Sequence, residues 1–145
     1  MNRREILVAV VDGQGGGMGR ALVEAVKKSA PDVHVRALGT NALATAAMLR
    51  AGADDGATGE NAVICNVRRA HVLLAPVGAL AADGLLGEVT APMAAAIGRC
   101  EAVKILLPSG RCGIRLAVGP SQNLQFYIGE AVRLLNEELE RLCGA

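Results

Sequence analysis

The chain has 145 residues, of which 52% are hydrophobic and 20% are charged, and its formal net charge is +1. This length suits a single domain with a full core, and the composition excludes intrinsic disorder. No apolar run approaches the length of a membrane span, and scattered basic residues with one Phe and one Tyr argue against nucleic-acid binding. The N-terminus lacks a signal-peptide pattern, which predicts a cytoplasmic protein.

A glycine-rich stretch follows the first apolar run of the chain. Residues 6–11 are all apolar, which predicts a strand buried on both faces. Asp12 ends this run, residues 13–19 are rich in glycine, and from Met18 onward apolar residues recur at helical spacing. The glycines therefore join a strand to a helix N-terminus, where free backbone N–H groups and the helix dipole favour an anion. This junction predicts a pocket for a phosphate-bearing small molecule.

The spacing of these glycines does not fit G-x-G-x-x-G or the Walker pattern. Gly13, Gly17 and Gly19 instead fit G-x-x-x-G-x-G, which resembles the cofactor loop of short-chain dehydrogenases, so NAD(P) or another nucleotide is a possible cofactor. However, residues 36–41 provide no acid at the end of the second strand to hold ribose hydroxyls. Tyr127, the only tyrosine, is followed by Ala131 where the Tyr-x-x-x-Lys motif of that family has lysine, which excludes its mechanism.

Further along the chain, residues 33–39 predict the second strand and residues 42–51 predict a helix. Thr40 or Asn41 is expected to cap that helix, and Asn41 is also a candidate ligand contact because it lies next to the glycine loop. Residues 52–61 predict an irregular loop, and residues 60–69 a short helix, with an extended alternative over 62–67. A third strand covers residues 71–75 and ends in a turn at Gly78.

The last third of the chain predicts two helices and a hairpin. Thr90 is expected to cap a helix that contains Pro92, and Glu88 is interpreted as a carboxylate facing its dipole, with a role in the site as the alternative. Because so few residues separate strands 102–108 and 112–118, they are expected to pair as an antiparallel hairpin. Residues 121–142 predict a final helix whose wide apolar stripe suggests a homo-oligomer.

The leading hypothesis is binding of a nucleotide, dinucleotide or other phosphate-bearing molecule. The candidate binding residues are Asp12, Gly13, Gln14, Gly15, Gly16, Gly17, Met18, Gly19, Arg20, Asn41, Asn61 and Gly78. An alternative is a small oligomeric enzyme that uses Asp12, Glu60 or Cys112; Cys112 follows Arg111, whose charge favours a thiolate. A second alternative is a structural or regulatory interaction protein. The four cysteines form no C-x-x-C pair, so no metal is expected.

Four segments, residues 11–19, 37–49, 52–61 and 111–112, resemble a bacterial family known as domain of unknown function 3842. The resemblance extends to about residue 118 and implies a bacterial origin and a Rossmann-like domain, without an established activity. Its polar or reactive positions in this chain are Asp12, Asn41, Glu60, Asn61 and Cys112. The expected fold is a single three-layer α/β Rossmann-like domain over residues 1–145, with a mostly parallel sheet and an antiparallel edge hairpin.

Overall fold

The structure is a computed structural model that describes residues 1–109 and 113–144. Strands and helices alternate along the chain, with one short 3₁₀ turn at Arg3–Glu5 and another at Val77–Leu80. The strands are β1 (Leu7–Asp12), β2 (His34–Gly39), β3 (Asp55–Thr58), β4 (Val72–Pro76) and β5 (Val103–Leu107). The helices are α1 (Gly17–Ser29), α2 (Ala42–Arg50), α3 (Glu60–Val67), α4 (Ala91–Arg99) and α5 (Leu124–Leu142).

The described strands form one parallel sheet in the order β3-β2-β1-β4-β5. One face of β1 contributes Val8 and Val10 to a core with α1, α2 and α5, and the other face contributes Ala9 and Val11 to a core with α3 and α4. Burial on both faces explains the unbroken apolar sequence of β1. The predicted three-layer α/β fold is confirmed. In such a sheet a ligand crevice is expected at the carboxyl ends of β1 and β4, because the strands that follow β1 lie first on one side of it and then on the other.

The predicted irregular loop over residues 52–61 is wrong, because residues 55–58 form the edge strand β3. Asp54 accepts a hydrogen bond from the Val35 N–H at 2.8 Å, and Asp55 accepts two from the Arg36 guanidinium. These side-chain contacts fasten a glycine-containing, acidic segment to β2 despite its low strand propensity. The helical interpretation of the next segment is confirmed by α3.

The predicted antiparallel hairpin is also wrong in the described part of the chain. Residues 113–118 form no strand, and Leu116 and Val118 are 41% and 71% exposed. Side chains this exposed bury too little apolar surface to offset the ordering of another edge strand. The sheet therefore ends at β5 within the described ranges, and Cys112 lies outside those ranges.

Helix α5 packs back onto the domain against α1 and β5. Leu135 and Leu139 are fully buried in the core shared with α1, whereas Leu124, Phe126 and Leu134 remain 39%, 49% and 37% exposed. Most of the predicted apolar stripe is thus buried against other elements of the same chain. None of the helices in the described ranges combines the length and apolar character that crossing a bilayer requires.

Candidate functional site

The glycine loop turns the chain sharply between β1 and α1. Gly16 caps α1 in the left-handed conformation with φ of +75°, and its N–H donates to the Gly13 carbonyl at 2.9 Å. A Cβ at Gly16 would lie only 2.8 Å from the Ala44 Cα, so this position requires glycine for conformation and for space. The turn brings the first amides of α1 to the carboxyl edge of the sheet.

Asp12 supports this turn from below. Its Oδ2 accepts a hydrogen bond from the Gly19 N–H at 2.7 Å, and the residue is only 5% exposed. Burial raises the pKa of Asp12 above its usual range, the N–H groups of Gly19 and Gly13 oppose the rise, and the charge of Glu88 adds to it. The carboxylate of Asp12 therefore holds the first turn of α1 against β1.

Three amides around the start of α1 have no partner within the part of the chain that the structure describes. The N–H groups of Gly15, Gly17 and Met18 have no hydrogen-bond acceptor among the described residues. A Cβ at Gly15 or Gly17 would meet no atom within 4 Å, so the space above both residues is open. A cavity of about 310 Å³ lies there, and its lining residues are Asp12, Gly13, Gln14, Gly15, Gly16, Gly17, Met18, Pro76, Leu85 and Ser109.

A second polar group, centred on Glu88, borders the loop. The Oε1 of Glu88 accepts hydrogen bonds from the Gln14 N–H at 2.8 Å, the Thr40 hydroxyl at 2.6 Å and the Asn41 Nδ2 at 2.7 Å. The bond from Thr40 is the main cause that lowers the pKa of Glu88, and those from Gln14 and Asn41 add to it against the effect of partial burial. Glu88 thus borders the glycine loop, and its interpretation as a carboxylate facing the dipole of the next helix is wrong.

Asn41 caps α2 and also contacts the glycine loop. Its Oδ1 accepts from the Ala44 N–H at 2.9 Å and caps α2, while its Nδ2 also donates to the Gln14 carbonyl at 2.9 Å. The predicted cap is confirmed, and the second contact ties the end of β2 to the glycine loop. Contact of Asn41 with a ligand stays a prediction.

The segment that carries Glu88 has an unusual backbone. Asp83, Leu85 and Leu86 have φ values of 65°, 54° and 56°, and Gly87 has a φ of 91°. Left-handed conformations at leucine are rare and each is unfavourable by about 1–3 kcal/mol. Leu85 is nevertheless 5% exposed and packs beside Gly13, so its burial fixes the segment across the loop.

The remaining predicted residues lie away from this cavity. Arg20 is on the exposed side of α1, where its Nε lies 3.5 Å from Glu24, and Gly78 is buried in the 3₁₀ turn after β4. Glu60 accepts from the Thr90 hydroxyl at 2.6 Å, and the amide of Asn61 faces Cys65. Of the two catalytic candidates that the structure describes, Asp12 lines the cavity and Glu60 does not. Cys112 lies outside the described residues.

Sequence reasoning missed Thr40 as a neighbour of the glycine loop and, for Glu88, favoured the helix-start role over the alternative role in the site. Both lie within two residues of a confirmed helix cap, at Asn41 and Thr90, so local sequence associates them with helix starts. The contact between Gln14 and Glu88 joins residues 74 positions apart, and no periodic pattern reports such a contact. Among residues 1–109 and 113–144, no cluster of His, Cys, Asp and Glu side chains could hold a metal ion.

Comparison with known proteins adds a family assignment. No curated protein matches the chain. A similar solved structure is the crystal structure of a dodecameric FMN-dependent Ubix-like decarboxylase from Escherichia coli O157:H7, with 19% identity, a TM-score of 0.42, and coverage of 90% of this chain and 75% of that chain. The family model described as "Domain of unknown function (DUF3842)" matches residues 7–140, and so extends past the predicted limit near residue 118. The chain belongs to this DUF3842 family.

Proposed function

We propose that this protein binds a phosphate-bearing small molecule, in particular a nucleotide or dinucleotide, at the glycine loop. The observation that carries the proposal is the group of N–H donors at Gly15, Gly17 and Met18 that lack an acceptor in residues 1–109 and 113–144. All three residues line the 310 Å³ cavity. Amides at a helix N-terminus lack intrahelical acceptors and carry the positive end of the helix dipole. Phosphate oxygens would complete these hydrogen bonds.

The two open glycines support this proposal independently of the dipole. Gly13, Gly16 and Gly19 are needed for packing, because a Cβ at each would lie within about 3 Å of a neighbouring atom. At Gly15 and Gly17 no atom of the described residues lies near the position of a Cβ, so packing against them does not require glycine there. Side chains at these two positions would stand over the amides, so their absence suits the close approach of a ligand.

Asp12 does not prevent an anion from binding here. Its carboxylate already accepts a hydrogen bond from the Gly19 N–H, which compensates part of its charge. Its raised pKa also reduces the fraction that is ionised at a given pH. The acid thus holds the shape of the loop while the neighbouring amides remain available.

The test is a thermal-shift and calorimetric screen of pyrophosphate, the common ribonucleoside 5′-diphosphates, NAD and NADP. A ligand at a hundred times its Kd stabilises the folded state by about 2.7 kcal/mol, which a melting curve resolves. Gly17→Val, whose side chain stands over the amides, is expected to weaken binding at least about tenfold, since charge-assisted hydrogen bonds are lost. Gly129→Val is the matched control, because Gly129 is exposed on α5 with open space around it.

Either of two outcomes would refute the proposal. The first is that no phosphate compound in the screen shifts the melting temperature of the unaltered protein. The second is that Gly17→Val and Gly129→Val bind a phosphate compound equally well. The enzyme hypothesis needs a reaction as well as a ligand, and Asp12 is its candidate among the described residues that line the cavity.

We also propose that the protein forms a homo-oligomer through the exposed apolar side chains of α5. Leu124, Phe126 and Leu134 share this helix and are each more than a third exposed. Covering them with a second copy would remove apolar surface from water. Native mass spectrometry is expected to show an assembly that Phe126→Glu dissociates, whereas a monomeric unaltered protein would refute this proposal.

A further inference from the structure

We infer that Glu88 makes the glycine-loop site selective for ribonucleoside 5′-phosphates that carry free 2′- and 3′-hydroxyls. This inference rests on the proposed function and names the ligand class of the same site. Its basis is the asymmetry of the Glu88 carboxylate. Oε1 accepts three hydrogen bonds, from Gln14, Thr40 and Asn41, while Oε2 has no partner among the described residues.

A carboxylate held in this way can recognise hydroxyl groups by accepting their hydrogen bonds. The three donors on Oε1 fix the side chain, and the lone pairs of Oε2 remain available to donors from outside the chain. Ribose hydroxyls are such donors, and hydrogen bonds to a charged acceptor are among the stronger ones in proteins. A phosphate group at the same place would be repelled by the negative charge of Glu88.

Glu88 lies beside the glycine loop and contacts the residues that follow β2. Thr40 and Asn41 directly follow Gly39, the last residue of β2, and in dinucleotide-binding sheets the acid that holds the ribose lies at this strand end. Residues 36–41 contain no acid, and Glu88 reaches the same strand end from the segment before α4. The fold therefore supplies from a distant part of the chain the carboxylate that β2 lacks.

The ribose and phosphate positions are also adjacent. Glu88 binds the N–H of Gln14, and the next residue, Gly15, provides the first of the unpartnered amides. A 5′-phosphate and the ribose that bears it are separated by a single ester linkage, so one ligand can engage both groups. Because Leu85 is buried beside Gly13, the carboxylate is held in place before any ligand arrives, which limits the ordering needed on binding.

The experiment compares ligands that differ only at the ribose. Calorimetry measures the Kd of pyrophosphate, of the common ribonucleoside 5′-diphosphates and of their 2′-deoxy counterparts, with NAD against NADP as a second pair. We expect the ribonucleotides to bind at least about tenfold more tightly than the deoxynucleotides, because the deoxy compounds lose a charge-assisted hydrogen bond. NADP is expected to bind more weakly than NAD.

The variant Glu88→Gln tests the residue itself. It keeps an oxygen for the three internal donors and removes the charge, so the ribose-to-deoxyribose ratio is expected to fall below about threefold while the affinity for pyrophosphate does not fall. Glu24→Gln makes the same chemical change on the exposed side of α1, where Glu24 pairs with Arg20, and should leave the ratio unchanged. If Glu88 only supported the structure of the loop, Glu88→Gln would lower the affinities for pyrophosphate, ribonucleotides and deoxynucleotides together.

The possible failures are distinguishable. If pyrophosphate binds and the ribonucleotides and deoxynucleotides bind equally, the inference is wrong and the proposed function stands. The same holds if Glu88→Gln keeps the full ratio of the unaltered protein. If neither pyrophosphate nor any nucleotide binds, both the proposed function and this inference are overturned.

Discussion

The side-chain amide of Asn41 joins a helix cap to the site: Oδ1 accepts from the Ala44 N–H, and Nδ2 donates to Glu88 Oε1 at 2.7 Å. A single residue at the end of β2 therefore starts α2 and also orients the carboxylate that borders the glycine loop. This relationship couples the stability of the α2 N-terminus to the charge state of Glu88.

Asn41→Asp is expected to destabilise the fold more than Asn41→Ser. Both substitutes can cap α2, but aspartate loses the donor to Glu88 and places a second carboxylate beside the first. We expect Asn41→Asp to lower the free energy of unfolding at pH 7 by about 1–3 kcal/mol, with Asn41→Ser losing less. Urea unfolding curves check this order, and equal stability of the two variants would show that the Asn41–Glu88 contact is energetically unimportant.

Glu88 is expected to make the protein more sensitive to acid. Because hydrogen bonds lower its pKa in the folded state, its contribution is present above its unfolded pKa of about 4.3 and is lost as the pH falls through the folded value. The difference in free energy of unfolding between the unaltered protein and Glu88→Gln should therefore shrink below about pH 4.3. A difference that stays constant between neutral and acid pH would argue against this assignment.

The contribution of Asp12 to stability is expected to have the opposite pH dependence. Its folded pKa is raised chiefly by burial, so its contribution is complete below the unfolded pKa of about 3.9 and is lost as the pH rises through the folded value. Relative to Asp12→Asn, the unaltered protein should become less stable as the pH increases from about 3.9. Chemical unfolding of both proteins across this range measures the slope, and a rising relative stability would disprove the predicted sign.

Gly19→Ala and Gly17→Ala make the same change two residues apart with different expected results. A Cβ at Gly19 would lie 2.6 Å from the Met48 Sδ and 2.8 Å from the Asp12 Cβ, and both neighbours are buried. Overpacking of this kind destabilises by about 1–3 kcal/mol. Gly17 has open space and ordinary helical backbone, so Gly17→Ala should leave the free energy of unfolding unchanged or raise it by up to about 1 kcal/mol.

Thermal and urea unfolding of the two glycine variants give the comparison directly. Equal destabilisation by both substitutions would contradict the division of the loop into packing glycines and open glycines. Loss of ligand affinity in Gly17→Ala without loss of stability would agree with it.

Leu135→Ala is expected to destabilise the domain strongly, while Leu134→Ala is not. Leu135 is fully buried in the core between α5 and α1, whereas the adjacent Leu134 is 37% exposed. Truncating a buried leucine lowers the free energy of unfolding by about 2–5 kcal/mol, and a partly exposed one by much less. Urea unfolding distinguishes the two variants. If both lost similar free energy of unfolding, Leu135 would not be the residue of this pair that α5 buries in the core.

Local sequence patterns determined most of the fold. The apolar run before Asp12, the glycine-rich junction and the caps at Asn41 and Thr90 are all encoded within a few neighbouring residues, and the structure confirms them. Strand β3 was missed because its acids and glycine are typical of loops, and its pairing depends on contacts with β2. The hairpin prediction was wrong over residues 113–118, because a strand-like composition does not by itself provide another element on which the segment can pack.

The sequence by itself thus determined the three-layer α/β architecture and the glycine loop, since periodicity and turn chemistry act over short distances along the chain. Only the tertiary structure decided that Glu88 meets Gln14, Thr40 and Asn41, because those contacts span between 47 and 74 residues. The segment that carries Glu88 has a left-handed backbone at Leu85 and Leu86, and Leu85 is buried. Such a conformation is unfavourable locally and is stabilised by packing with distant residues, so no local pattern could have indicated it.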